Sequence, residues 1–221
     1  MGWESEIIHL TYGDFLNAID DYIDLTDEDR LDVNKLAHKL EKRNDVIGNW
    51  KIKRYKTDMP FITFNSPEST NSIIDYLINK NKRINYQKKV DDPLFYSLQN
   101  NQLSPNGFNA IFQRINDRVG FPIDKKTNRR YFTSHKLRKL FTTTLYNQGV
   151  DILAVDWMLG HRINPITEAY FKNDPVKLKS QYMTAVDRLT LEKIKIKTLH
   201  TKAYEHLLEK LKKKEEEYQN E

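Results

Sequence analysis

Cysteine is absent from the chain. Its absence removes disulfides, thiol nucleophiles and the commonest structural zinc sites, while leaving the compartment open. Long apolar runs are missing as well: nothing approaches the roughly eighteen consecutive apolar residues of a membrane span, and charged residues make up 30% of the chain. Neither a membrane span nor a signal peptide is expected, and the sequence reads as a soluble, cytoplasmic protein. No His-x-x-x-His pair or dense acidic cluster completes a coordination sphere around His135 and His161, so a metal centre is not expected. Internal repeats are lacking too, and low complexity is confined to the charged C-terminal end. A length of 221 residues suits one domain with an appendage.

What is present is charge, unevenly placed. Asp20 to Asp32 ("DDYIDLTDEDRLD") holds seven acids against one arginine, a segment of −6, so the rest of a chain whose total is +5 carries +11. Such a basic excess favours a polyanion, and nucleic acid is the first candidate. Four X-Pro pairs, Ser66-Pro67, Ser104-Pro105, Asn164-Pro165 and Asp174-Pro175, read as capped helix starts. A further helix opens at Ser134 as N-cap, shows an apolar face at Leu137, Leu140, Phe141 and Leu145, and stops at Gly149. Between these lies "NWKIKRYKTDMPFITF", Asn49 to Phe64, where Trp50, Ile52 and Arg54 alternate with lysine and a Lys-Thr-Asp turn precedes a second β-prone run. It predicts a β-hairpin, and "DPLFYS" at Asp92 to Ser97 a possible further strand. From Leu189 to Tyr218 neither proline nor glycine interrupts a long charged helix with one apolar side.

The residues able to carry chemistry are individually ordinary. His135 and Arg138 share one side of a helix's first turn, because residues three apart are neighbours there. His161 follows Met-Leu-Gly, Tyr170 sits in "ITEAYFK", and Lys56 stands at a hairpin tip. Their order is more telling: a hairpin lysine, His-x-x-Arg opening a helix, Leu-Gly-His, then a tyrosine nine residues on.

That order resembles the catalytic domain of the tyrosine recombinases, the phage integrase family. The resemblance covers nearly all of Ser5 to Tyr182, and "KTDMPFITFNSPES" and "DPLF" look like integrases of archaeal viruses and plasmids. It implies a mixed α/β, mainly helical domain over residues 1–187 with a small antiparallel β-sheet, the DNA breaking-rejoining enzyme fold, followed by a charged helix over 188–221. It implies site-specific DNA recombination, the integration of a mobile element, through a 3′-phosphotyrosine and without metal or nucleotide cofactor. Double-stranded DNA is the implied partner, with self-association on DNA through the C-terminal helix. Tyr170 matches the nucleophile, which stores the bond energy of the cut strand in a covalent phosphoryl link. Arg138 matches a guanidinium clamp on the non-bridging oxygens. Lys56 matches the donor of a proton to the leaving 5′ oxygen, and His135 and His161 match positions that hydrogen-bond the phosphate and manage protons.

The match fails at the beginning. Ser5, Glu6, Leu10 and Asp14 fit the family pattern, but Trp3 stands where a first catalytic arginine belongs, and an indole cannot replace a guanidinium. The DNA-clamping domain that precedes this segment in the family is also missing from the sequence, which reads as truncated at its N-terminus. Two functions stay open at this point: a strand-cleaving recombinase domain, or a DNA-binding remnant with impaired catalysis.

Overall fold

The computed structural model describes residues 3–40, 43–55, 57–84, 89–164 and 174–191, with backbone alone at 3–5 and 83–84. Among them nine α-helices surround two small antiparallel sheets, the mainly helical mixture the sequence implied. In chain order these are α1 (Trp3–His9), α2 (Tyr12–Ala18), α3 (Asp27–Leu31), α4 (Val33–Leu40), the β1 (Gly48–Lys53) and β2 (Pro60–Asn65) hairpin, α5 (Pro67–Ile84) and α6 (Pro105–Val119). The short β3 (Ile123–Asp124) and β4 (Arg129–Arg130) hairpin follows, then α7 (Ser134–Asn147), α8 (Ile152–Met158), α9 (Pro175–Met183) and a 3₁₀ turn at Val186–Arg188.

Local chemistry sets the helix ends. Ser104 and Asp174 each cap a helix whose first residue is proline, accepting from Gly107 N at 3.1 Å and Val176 N at 2.9 Å. Pro67 opens α5 in the same way, whereas the helix expected at Pro165 lies outside the described residues, and of the long helix expected over Leu189 to Tyr218 only Leu189, Thr190 and Leu191 are described, in a turn rather than a helix. Gly149 ends α7 as expected. Its φ of +75° lets Gly149 N and Val150 N donate back to Tyr146 O and Leu145 O, satisfying carbonyls the helix leaves open. Two expectations are corrected. The N-cap of α7 is Thr133 rather than Ser134, since the Thr133 hydroxyl accepts from Lys136 N. Asp92 to Ser97 is not a strand: only single bridges form, Thr11 with Pro93 and Tyr96 with Gln102, because Pro93 has no N–H to extend a ladder.

The β1–β2 hairpin divides the core. In its register Trp50 faces Thr63 and Ile52 faces Phe61, while Asn49 faces Phe64 and Lys51 faces Ile62. Opposed residues share a face, so Trp50 and Ile52 point one way and Phe64 and Ile62 the other. Trp50 joins Phe15, Leu16, Leu36 and Leu77, the packing of α2, α4 and α5. Phe64 joins Leu145, Val155, Met158 and Tyr182, the packing of α7, α8 and α9. Truncating either aromatic to alanine would remove about 3–5 kcal/mol. Alternation in the sequence thus places one hairpin between two cores.

The acidic segment is tied inward. Thr26 and Asp29 form a reciprocal capping box on α3, Lys39 reaches Asp29 at 2.5 Å, and Lys35 reaches Glu28 at 2.8 Å. From the other core Lys179, buried in α9, donates to Asp21 at 3.2 Å and lies over the Tyr22 ring. Burial pulls the Lys179 ammonium below its usual pKa, and Asp21 opposes that shift.

Candidate active site

The start of α7 is positioned by a single buried amide. Asn116, 1% exposed in α6, donates from Nδ2 to Phe132 O and accepts Phe132 N at its Oδ1, which fixes the chain just ahead of Thr133. From there α7 begins, placing His135 exposed on its first turn and Arg138, half-buried, one turn further.

A second helix end comes to meet it. α8 closes with Gly160 at φ +62°, where Gly160 N donates to Trp157 O and His161 N to Asp156 O. Only glycine suits this place: besides the positive φ, an added Cβ would stand 3.0 Å from the Phe61 ring. The reversal folds His161 back over Asp156, and Nδ1 lies 2.8 Å from Asp156 Oδ1. On the other side of the imidazole, Arg138 Nη2 lies 2.8 Å from His161 Nε2. Arginine only donates, so Nε2 accepts and Nδ1–H is left to donate to Asp156. Two motifs 23 residues apart thereby become one hydrogen-bonded chain, Arg138 to His161 to Asp156.

A further cation enters from the hairpin. Arg54 follows β1, and its backbone is held at the turn by Met59 O, Thr57 N and Asp58 N. Its Nη2 lies 3.4 Å from Leu159 O, the same carbonyl that accepts from Arg138 Nη2 at 3.0 Å. Burial, and after it the Arg54 charge, lowers the Arg138 pKa to about 10, while Glu6, buried in α1, opposes the shift. Arg138 remains charged at neutral pH. The hairpin turn is braced in turn by α1, whose His9 ring stacks on Tyr55 at 4.2 Å.

Of the five residues singled out in the sequence, Arg138 and His161 are brought together. His135 is on the same helix as Arg138 and exposed, and Lys56 and Tyr170 lie outside the described residues. Of Trp3 only the backbone, in α1, is described. The sequence reading missed Asp156, and it named Arg54 and Glu6 without giving them a place in the site. Arg54 had a signal, being the one charged member of the Trp50, Ile52, Arg54 alternation. The apolar face expected on α7 is also corrected: Leu145 is fully buried, but Leu137 and Leu140 are 42% and 55% exposed and line an open cleft of about 360 Å³ with Phe108, Phe112 and Phe64. Within the described residues no group of three or more His, Cys, Asp or Glu is placed to hold a metal ion.

Comparison with known proteins gives this geometry its context. The model of the phage integrase family matches residues 19–177, more than half of the chain. Among curated proteins, the tyrosine recombinase XerC of Rickettsia bellii (strain RML369-C) is 29% identical over 115 residues, which is 52% of this chain and 34% of that protein. The XerC of Rickettsia prowazekii (strain Madrid E) is 27% identical over 119 residues, 54% of this chain and 35% of that one. The chain therefore spans about a third of the length of the curated relatives it matches. No solved structure matches it.

Proposed function

The chain belongs to the phage integrase family, and on that premise we propose that it cuts and rejoins double-stranded DNA at specific sites through a phosphotyrosine, as part of the integration of a mobile element. The observation that carries the reading is the Arg138–His161–Asp156 chain, in which two helix ends distant in sequence present a guanidinium and an oriented imidazole at one place. In this reading the Tyr170 hydroxyl oxygen attacks the scissile phosphorus and passes its proton to His161 Nε2 as the bond forms. The P–O5′ bond breaks, the 3′ phosphate stays on Tyr170, and the 5′ oxygen leaves as a hydroxyl with a proton from Lys56. Rejoining is the reverse, so no external energy source is needed.

Arg138 holds the charge that gathers on the non-bridging oxygens as phosphorus becomes five-coordinate. His161, its Nδ1–H engaged by Asp156, has its Nε2 lone pair on Arg138 Nη2, and when the phosphate draws Arg138 to itself that nitrogen can accept or return a proton. His135 adds a donor from the exposed first turn of α7. The described residues include no helix long and apolar enough to cross a membrane. Self-association on DNA belongs to the same reading, through a C-terminal segment at 188–221 distinct from the catalytic unit of 1–187. Sedimentation on DNA before and after deletion of residues 192–221 measures it.

The deciding experiment is covalent capture. A nicked duplex that loses its short 5′ fragment on cleavage traps the intermediate, and a denaturing gel should show a DNA–protein adduct that Tyr170→Phe abolishes. No Tyr170-dependent adduct on any attachment-site DNA, with salt-dependent DNA binding retained, would replace the recombinase by a DNA-binding protein.

A further inference from the structure

Two arginines compete for one neutral acceptor at the end of α8. Leu159 O belongs to the last turn of that helix, where carbonyls lack intrahelical partners, and it lies within reach of both Arg54 Nη2 and Arg138 Nη2. The two guanidinium groups come from elements far apart in sequence, the β1–β2 turn and α7, and both are partly buried. Like charges held close and partly desolvated repel, and the buried Glu6 carboxylate, which acts on Arg138 less strongly than Arg54 does, leaves part of that repulsion standing. The lowering of the Arg138 pKa by Arg54 expresses that repulsion. Arg54 Nε is moreover buried with no hydrogen-bond partner among the described residues. A strut joining the hairpin to α8 would not need a second cation beside it, nor leave a buried N–H unused, and its 3.4 Å bond is long for one.

We propose that Arg54 is a second guanidinium of the phosphate site: with Arg138 it grips the non-bridging oxygens of the scissile phosphodiester, an anion that relieves the repulsion between the two and takes up the unused N–H. This deepens the reading given above and rests on it for the identity of the phosphate. Arg54 stands just past the end of β1, where the backbone bonds at the turn hold its base and its guanidinium reaches the end of α8. His161 stands beside Arg138, its Nε2 accepting from Arg138 Nη2. Arg54 would thereby supply the guanidinium that the sequence lacks at Trp3.

Two measurements test it on the full chain. In the first, the Nε–Hε resonances of nitrogen-labelled arginines, assigned with Arg54→Lys and Arg138→Lys, are followed during titration with inorganic phosphate against chloride at equal ionic strength. Both resonances should move along one saturation curve, and Arg54→Lys should weaken phosphate about tenfold while leaving the melting temperature in place. Movement of Arg138 alone, of neither, or equally with chloride overturns the proposal. The second compares adduct formation on suicide DNA with a phosphate or an uncharged methylphosphonate at the cleavage point. Arg54→Ala should lose on the order of 100-fold or more on phosphate and recover most of it on methylphosphonate, which has one charge fewer to hold. Equal loss on both substrates marks a structural strut and overturns the proposal. An absence of any adduct in the unsubstituted chain counts against the recombinase reading, and the phosphate titration then still decides Arg54.

Discussion

Asp156 meets His161 rather than Arg138, and its contribution is to hold a proton in place. Its carboxylate accepts Nδ1–H of His161 and so leaves Nε2 as the lone-pair nitrogen that faces Arg138. Asp156→Ala should free the imidazole to rotate and to exchange tautomers, slowing adduct formation by about 10- to 100-fold, a part of what a positioned acid–base group supplies. Nitrogen-edited spectra of the histidine ring check the cause: Nδ1 carries the proton in the parent chain, and the two tautomers mix in the variant. Why Arg138 and His161 were legible in the sequence and Asp156 was not follows from geometry. His135 and Arg138 are three apart on a regular helix, a spacing whose consequence is known in advance. Asp156 and His161 are five apart, and they meet only because Gly160 turns the chain back through a positive φ. Arg54 was visible as a charge in an inward row, but its neighbour 105 residues away in sequence was not.

At the scale of elements, the features that came through were those written within a few residues. Proline after a capping side chain opened α5, α6 and α9, and glycine closed α7. Those that failed depended on what packs alongside. "DPLFYS" has strand composition, yet a strand exists only with a partner ladder, and Leu137 and Leu140 mark a side of α7 without saying whether another element covers it. The α3 cap offers a prediction of its own. Lys39 first, then Thr26, hold the Asp29 carboxyl well below the usual carboxylate range. A carboxyl with a lowered folded pKa binds its proton more readily in the unfolded chain, so its stabilisation is complete above about pH 5 and is lost as pH falls through about 4 and below. Asp29→Asn should therefore lower the melting temperature at pH 7. Thermal unfolding followed by circular dichroism at falling pH should show the gap between the two proteins begin to narrow below about pH 4 and go on narrowing to the lowest pH at which the fold survives.

For the whole molecule the question is where the basic excess faces. Asp21, Glu28 and Asp29 are each paired with a lysine of this chain, so much of the acidic segment is answered internally by α4 and α9. Lys136 and Lys139 instead lie exposed on α7, in the turns that flank Arg138. Placed there they meet the backbone of any duplex whose phosphate reaches Arg138, and each phosphate contact they make displaces condensed counterions. Affinity for duplex DNA should thus fall steeply with salt, and the slope of log K against log salt should become shallower by about 0.9 for every such contact removed. Fluorescence anisotropy across a salt series would give that slope for the parent chain, for Lys136→Ala with Lys139→Ala, and for Lys35→Ala. Lys35 is the internal comparison, an exposed lysine of equal charge engaged by Glu28 on the acidic side. Its loss should leave the slope unchanged, whereas the α7 pair should flatten it. Equal flattening in both would mean that DNA responds to net charge alone, and that α7 is not the face it meets.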